Sequence, residues 1–401
     1  MGPESETATG NGGMLPPSRT STDPSGPASR PARTETGPAG GTGPPGWWIY
    51  RGTGESLRKG TLLRRLPPPP QWRMFTGGPE TPAPPEDEEE VLRRLGRVRP
   101  VGGAMSEQLR HEADMVNAAL YLRRPLLVTG RPGTGKSALA YRISRELGLG
   151  RVLRWHITSR STLRSGLYEY DAIGRVQDAA AARAVSGALT GEPAAQTDGA
   201  DAAEVGDYLQ LGPLGTALLP YAAPRVLLID EIDKSDLDLA NDLLSVFEEG
   251  RFAIPELVRL RRRHPRTVVL TDDPDGSVTI EEGLVRCRAF PVVVVTSNGE
   301  REFPPAFLRR CLRLHMPEPD HERLADMVAA HFIDEEARDV DSLGLLEQFV
   351  RRSRERGGLA ADQLLNSAYL SLHAVDGCSL DGLVDALWHR LDGELPEAGT
   401  P

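Results

Sequence analysis

The stretch Leu126–Ser137, LLVTGRPGTGKS, constrains this chain more than any other. An apolar run feeds Gly130, Arg131, Pro132, Gly133, Thr134, Gly135, Lys136 and Ser137, and Ala138-Leu139-Ala140-Tyr141-Arg142 then reads as a helix. This is the pattern G-x-x-x-x-G-K-[ST] in the strand-to-helix setting that gives it meaning. Glycines let successive backbone N–H groups turn inward onto phosphate oxygens, and the helix N-terminus adds the positive end of its dipole. Gly130 to Ala138 are therefore the expected phosphate cradle, with Lys136 reaching the β and γ phosphates and the Ser137 hydroxyl set for Mg²⁺. Only three of the 47 basic residues are lysine: Lys59, Lys136 and Lys234. Lysine at the loop fits the chemistry, because a planar guanidinium fork does not replace a compact ammonium there.

Two further apolar runs share a form. In Arg225–Lys234, RVLLIDEIDK, four apolar residues end in two acids, which describes a buried parallel strand delivering carboxylates at its C-terminal end. Asp230 is expected in the Mg²⁺ shell, and Glu231 is expected to orient and activate the attacking water. Asp233 and Lys234 read as a local pair without a catalytic role. Pro291–Asn298, PVVVVTSN, is a second buried strand, and beside the first it would face Asn298 toward the same water.

Other segments supply the frame. Ser106–Leu122 has helical spacing; Val152–Thr158 reads as a strand, with His156 a satisfied core histidine; Asp238–Gly250 is an amphipathic helix ending at glycine. Short strands are expected over Arg251–Pro255, Thr267–Leu270 and Ser277–Ile280, with the basic run Arg259–Arg266 as a solvated loop. Gln177–Asp207 reads as a helix with a mobile excursion. Phe303–Cys311 begins with prolines as a short helix does, and Leu312–Met316 is a fifth strand. From Pro317 onward the pattern is helical only: His321–Phe332, Ser342–Arg354, Ala360–His373 and Leu380–Leu391.

Composition divides the chain. Up to Pro85 lie 17 of the 34 prolines and 15 of the 42 glycines, with no sustained period. Residues 1–70 are expected to be a disordered tail, 71–316 a core domain and 317–395 a helical lid. The tail's island Trp47-Trp48-Ile49-Tyr50 is left open between docking motif and packing, whereas Trp72 and Phe75 are expected to pack on the domain. Nine basic against six acidic residues precede Pro85, so the remainder carries 38 basic against 51 acidic residues, a formal −13, which argues against non-specific nucleic-acid binding. Cys287, Cys311 and Cys378 are far apart without a CxxC pair, which fits buried thiols in a reducing compartment. No apolar run approaches membrane-spanning length, and the N-terminus has no leader pattern, so a soluble cytoplasmic protein without membrane insertion is expected.

Taken in order, the phosphate loop, the acidic strand end, the strand ending in Asn298, the arginine pair and the small helical unit resemble the AAA+ ATPases. More narrowly, Gly212-Pro213-Leu214-Gly215 ahead of LLIDEID, the hairpin-like insert before the Asn298 strand and LRRC after it look like the MoxR branch. The resemblance covers Trp72 to Leu391. It implies an α/β fold, a P-loop NTPase with a parallel sheet, helices on both faces and a small all-α lid. It also implies ATP and Mg²⁺ as ligands, with Asn298 as first sensor and Arg310 as an arginine finger reaching the adjacent subunit's nucleotide, Arg309 being the reserve. Arg309 stands where the family usually has an acid, and Arg356 is the nearest fit to a second sensor. Ring-like homo-oligomers, commonly hexamers, and remodelling of protein clients, often with von Willebrand factor A-type domains, are likewise implied. Two other functions stand beside this one: a nucleic-acid-directed motor or loader, and a nucleotide-gated scaffold with negligible turnover.

Overall fold

The computed structural model describes residues 44–58, 60–97, 105–190, 205–332, 340, 344–356, 359–373 and 387–388, with side chains 182–190 and 354–356 excepted. In chain order the strands are β1 (Leu126–Thr129), β2 (Leu153–His156), β3 (Tyr168–Tyr170), β4 (Leu209–Leu211), β5 (Val226–Asp230), β6 (Arg251–Ala253), β7 (Arg266–Leu270), β8 (Ser277–Glu281), β9 (Leu284–Arg286), β10 (Val292–Ser297) and β11 (Leu312–His315). Five of them form a parallel sheet in the order β11-β1-β10-β5-β2. Every residue of β5 and β10 is buried. That explains their unbroken apolar runs, because both faces of a parallel sheet are covered.

Side chains alternate between the two faces as strand geometry requires. Leu127, Ile229, Val293 and Val295 enter one core cluster with Leu243 and Phe247 of the helix Leu237–Glu249. Leu126, Val128, Leu228 and Val294 enter the other, with Leu139, Ile143 and Leu147 of the helix Lys136–Leu147. Register aligns Thr129 with Ser297, Val295 with Ile229 and His156 with Asp230, so the carboxyl ends of four neighbouring strands converge.

A second sheet, β3-β4-β7-β8-β9-β6, is larger than the insert expected from the sequence. Strands near 251–255, 267–270 and 277–280 were legible, but β3, β4 and β9 were not. Each has three residues, too short to show a period, and the β3–β4 pairing (Tyr168 with Leu211) is made across the helix Ala172–Thr190.

Residues 44–66, assigned by composition to the tail, pack on the domain. Trp48 is 0% exposed and lies with Ile49 and Tyr50 among Ala113, Val116, Leu120 and Ile143. Asn117, on the helix Glu107–Leu122, accepts from the Ile49 and Tyr50 N–H groups at 2.7 and 3.0 Å and donates to the Tyr50 carbonyl at 2.7 Å. Trp48 Nε1 donates to Asp114 at 2.8 Å, and Glu146 accepts from the backbones of Arg51 and Gly54. Average composition misses this strap, because three buried side chains and one amide supplying backbone partners suffice to hold it. Trp47 stays 42% exposed, edge-on to Tyr121. The expectation for Trp72 is corrected. Phe75 stacks on Phe290 at 5.6 Å, whereas Trp72 is 80% exposed.

Past β11, the helices His321–His331, Leu345–Arg356 and Ala361–His373 share a hydrophobic cluster of their own, in which Trp388 meets Phe349 edge-on at 5.7 Å. Residues 1–43 of the tail expected over 1–70, residues 191–204 of the segment Gln177–Asp207, Cys378 and all but residues 387–388 of the fourth lid helix lie outside the described residues. Among the described residues no helix is long and apolar enough to cross a membrane.

Candidate nucleotide site

The phosphate loop joins β1 to the helix that starts at Lys136. Gly135 has φ +84° and caps that helix in the left-handed region, which glycine occupies without strain. Gly133, at φ +76°, has a second reason: a Cβ there would lie 2.5 Å from Ala360 Cα, where the lid crosses the loop. Thr134 Oγ1 donates to the Arg131 carbonyl at 2.9 Å, and Arg131 reaches Glu318 at 2.9 Å. Lys136 is buried, and its ammonium donates to the carbonyls of Gly130 (2.8 Å) and Arg131 (2.7 Å), leaving one proton of three for an incoming oxygen. Burial pulls this ammonium below its ordinary pKa, opposed by Asp233, Asp230 and Glu231.

Opposite the loop stands Asp230, at the end of β5. Its Oδ1 accepts from Ser137 Oγ at 2.6 Å and Thr296 Oγ1 at 2.8 Å, and Arg154 clamps Oδ2 from β2 at 2.7 and 3.2 Å. Burial by itself would raise the Asp230 pKa. The hydrogen bonds from Ser137, Arg154 and Thr296 outweigh it and hold the carboxyl below its usual range. One hydroxyl and one ionised carboxylate in contact fit a Mg²⁺ ion that takes its remaining oxygens from water and phosphate.

Residues 125–311 match the family model of the AAA domain, dynein-related subfamily. Over those residues the chain is similar to an AAA domain. The family fits the parallel sheet with flanking helices described above, and it supports a nucleotide-binding ATPase. No curated protein matches the chain.

Within the matched region, Glu231 adopts φ 62° and ψ 50°, an uncommon backbone for a non-glycine residue. Its N–H donates to Thr296 Oγ1 at 2.9 Å, and its carboxylate accepts from Lys234 at 2.7 Å. Lys234 therefore pairs with Glu231, not with Asp233 as the sequence suggested. Asp233 instead is buried and accepts from the N–H groups of Asn298 (2.8 Å) and Glu300 (3.2 Å), fixing the turn after β10. His156, expected in the core, is about half exposed, with Nδ1 3.9 Å from Glu231.

Arg310 ends the helix Pro305–Arg310, and its Nε donates to Glu248 of the same chain. Arg309 is exposed, its carbonyl accepting from Arg124 at 2.8 Å. Leu312, two residues on, pairs with Leu126 at the start of β1, whereas the phosphate loop follows the end of β1. The arginine pair and the phosphate loop of the same chain are thus at opposite ends of the strand, on the order of 13 Å apart for four residues. Arg356 lies in the helix Leu345–Arg356, and its side chain is outside the described part.

Arg154 and Thr296 were not singled out from the sequence. Their only signal was weak: an arginine between Leu153 and Trp155 on an apolar strand, and a hydroxyl near the end of the β10 run. Register alone places both on Asp230.

Proposed function

We propose that the chain binds ATP with Mg²⁺ and hydrolyses it, as an AAA+ ATPase of MoxR-like type that remodels a protein client. The observation that carries this reading is the contact between Ser137 and Asp230 at 2.6 Å with buried Lys136 beside them, which joins the phosphate loop to the acidic strand end in one site. The loop from Gly130 to Ala138 cradles the phosphates, and Lys136 supplies the compensating charge. Ser137 and Asp230 would hold Mg²⁺, which would supply neutralising positive charge to the phosphates. Glu231 orients the attacking water and takes its proton, and Asn298 positions the same water. Arg310, with Arg309 in reserve, acts on the nucleotide of a neighbouring copy, in keeping with its place away from its own loop. A homo-oligomeric ring of hexamer type, a client of von Willebrand factor A type and a cytoplasmic location complete the reading.

The scaffold reading with negligible turnover has one observation in its favour. Glu231 and Arg310 are each engaged inside the chain, by Lys234 and Glu248. Two variants separate the readings. Lys136→Ala is expected to abolish nucleotide binding, measured by titration with a fluorescent ATP analogue. Glu231→Gln is expected to keep that affinity and lose turnover, because the amide keeps its shape but takes no proton. Equal loss of affinity in both variants, or a wild-type turnover no faster than Glu231→Gln, would refute the hydrolytic roles.

A further inference from the structure

Asp230 makes four hydrogen bonds inside the chain, two at each carboxylate oxygen: Ser137 Oγ and Thr296 Oγ1 donate to Oδ1, and Arg154 Nε and Nη2 donate to Oδ2. An ionised carboxylate offers about four such places, so any further ligand needs one of them vacated. The donors differ in how freely they can leave. Thr296 is 0% exposed, and its oxygen also accepts from the Glu231 N–H at 2.9 Å, which commits its proton to Asp230. Ser137 can keep its proton on Oδ1 and still present lone pairs to a cation. Arg154 is the donor with room to move. Its side chain is 36% exposed against 5% for Asp230, and it stands on β2, an edge strand of the parallel sheet. It stretches along that strand to make the contact, since its register partner is Leu228, about 7 Å short of Asp230. Neighbouring cations are held elsewhere: Lys136 by the carbonyls of Gly130 and Arg131, and Arg94 by Glu90 at 2.8 Å and the Tyr141 ring at 5.3 Å.

On the reading of this site as one for ATP with Mg²⁺, we propose that Arg154 is a resident counter-cation on Asp230 that must let go for the metal to be held, and so sets how strongly metal promotes nucleotide binding. Two positive groups on one carboxylate repel each other across a few ångströms with little water between them. The guanidinium and a divalent ion therefore compete for Asp230. Without metal in solution, Arg154 offsets the repulsion between Asp230 and the phosphates. With metal in solution it turns out toward water at the sheet edge, where release breaks its contact with Oδ2 alone. Arg154 is on this account a positioning residue: it acts through Asp230 and touches no reacting atom.

Titration of a fluorescent, non-hydrolysable ATP analogue onto the full chain, in EDTA and in saturating Mg²⁺, gives the factor by which metal tightens binding. In Arg154→Gln that factor is expected to be at least about tenfold larger than in wild type, the weight of a charge in contact with a carboxylate. Arg154→Lys keeps a cation on an unbranched stem and is expected to stay close to wild type. An unchanged factor in Arg154→Gln overturns the proposal. A smaller factor overturns it too, by making Arg154 a group that orients Asp230 for the metal. Melting temperatures check that the variants fold. Should the glutamine variant fail to fold, Arg154→Met, which keeps the stem and drops the charge, takes its place in the comparison; failure of both assigns Arg154 to the scaffold and overturns the proposal. Wild type that binds the analogue in neither condition sinks the ATP reading on its own account. Mn²⁺ alone, followed by electron paramagnetic resonance on the nucleotide-free chains, then decides the role of Arg154. Binding at least about tenfold tighter in Arg154→Gln than in wild type supports that role, and equal binding or none overturns it.

Discussion

Asp230 accepts from Ser137, Thr296 and Arg154, three donors on three different elements, and this satisfies a carboxylate taken out of water. The geometry leaves it ionised and oriented, which a metal ligand requires. Arg310 is the contrasting case, a solvent-side cation with a partner in its own chain. If it acts across an interface, Arg310→Ala keeps ATP affinity and loses turnover by roughly 10³, the usual worth of such a charge. Mixing that variant with Glu231→Gln should then restore part of the activity, since one interface can join an intact Glu231 to an intact Arg310. An Arg310 that serves only to pair Glu248 gives a lowered melting temperature and no rescue, and steady-state turnover of the mixture distinguishes the two outcomes.

Among elements, the strap at Trp48–Tyr50 ties the phosphate helix to the lid. Tyr50 donates to Glu112 at 2.8 Å; Arg142 of the phosphate helix reaches the same carboxylate at 2.9 Å, and Arg323 of the first lid helix lies 3.7 Å from it. Glu112 is only 3% exposed, so those partners supply the hydrogen bonds its buried carboxylate needs. Removing residues 44–60 from a chain that starts at residue 44 should lower the melting temperature by at least about 5 °C, given roughly 2–4 °C per kcal/mol in a domain of this size. Asn117→Ala, which leaves two strap N–H groups unpaired, should act in the same direction by a comparable amount. Calorimetry of the two truncations and the point variant checks both, and an unchanged melting temperature would mean the strap is not held in solution.

For the whole molecule, charge is the distinguishing property. A chain of net charge −10 whose basic residues beyond the tail are outnumbered by acids offers little counter-ion release on a nucleic acid. The run Arg259–Arg266 is an exception only locally, since its arginines are exposed and Arg266 pairs with Glu281 at 3.1 Å. Binding to DNA or RNA is expected to be no tighter than the roughly 10⁻⁴–10⁻⁶ M of non-specific contacts at physiological salt. Fluorescence anisotropy with labelled oligonucleotides at two salt concentrations measures this, and tight, steeply salt-dependent binding would favour the motor or loader alternative.

Local chemistry is written in local sequence, and there the chain by itself was decisive. The glycines at 130, 133 and 135, Lys136, the acids closing β5 and the apolar runs of β5 and β10 follow from backbone freedom, phosphate charge and burial on both faces of a sheet, all of which act within about ten residues. Only the tertiary structure decided which distant groups meet. It brought Arg154 and Thr296 to Asp230, engaged Asp233 with the Asn298 N–H, buried Trp48 with its indole N–H on Asp114 while leaving Trp72 in water, and built β3 and β4 into a sheet. Each of these depends on strand register or on a partner far along the chain, and composition and periodicity carry no information about either.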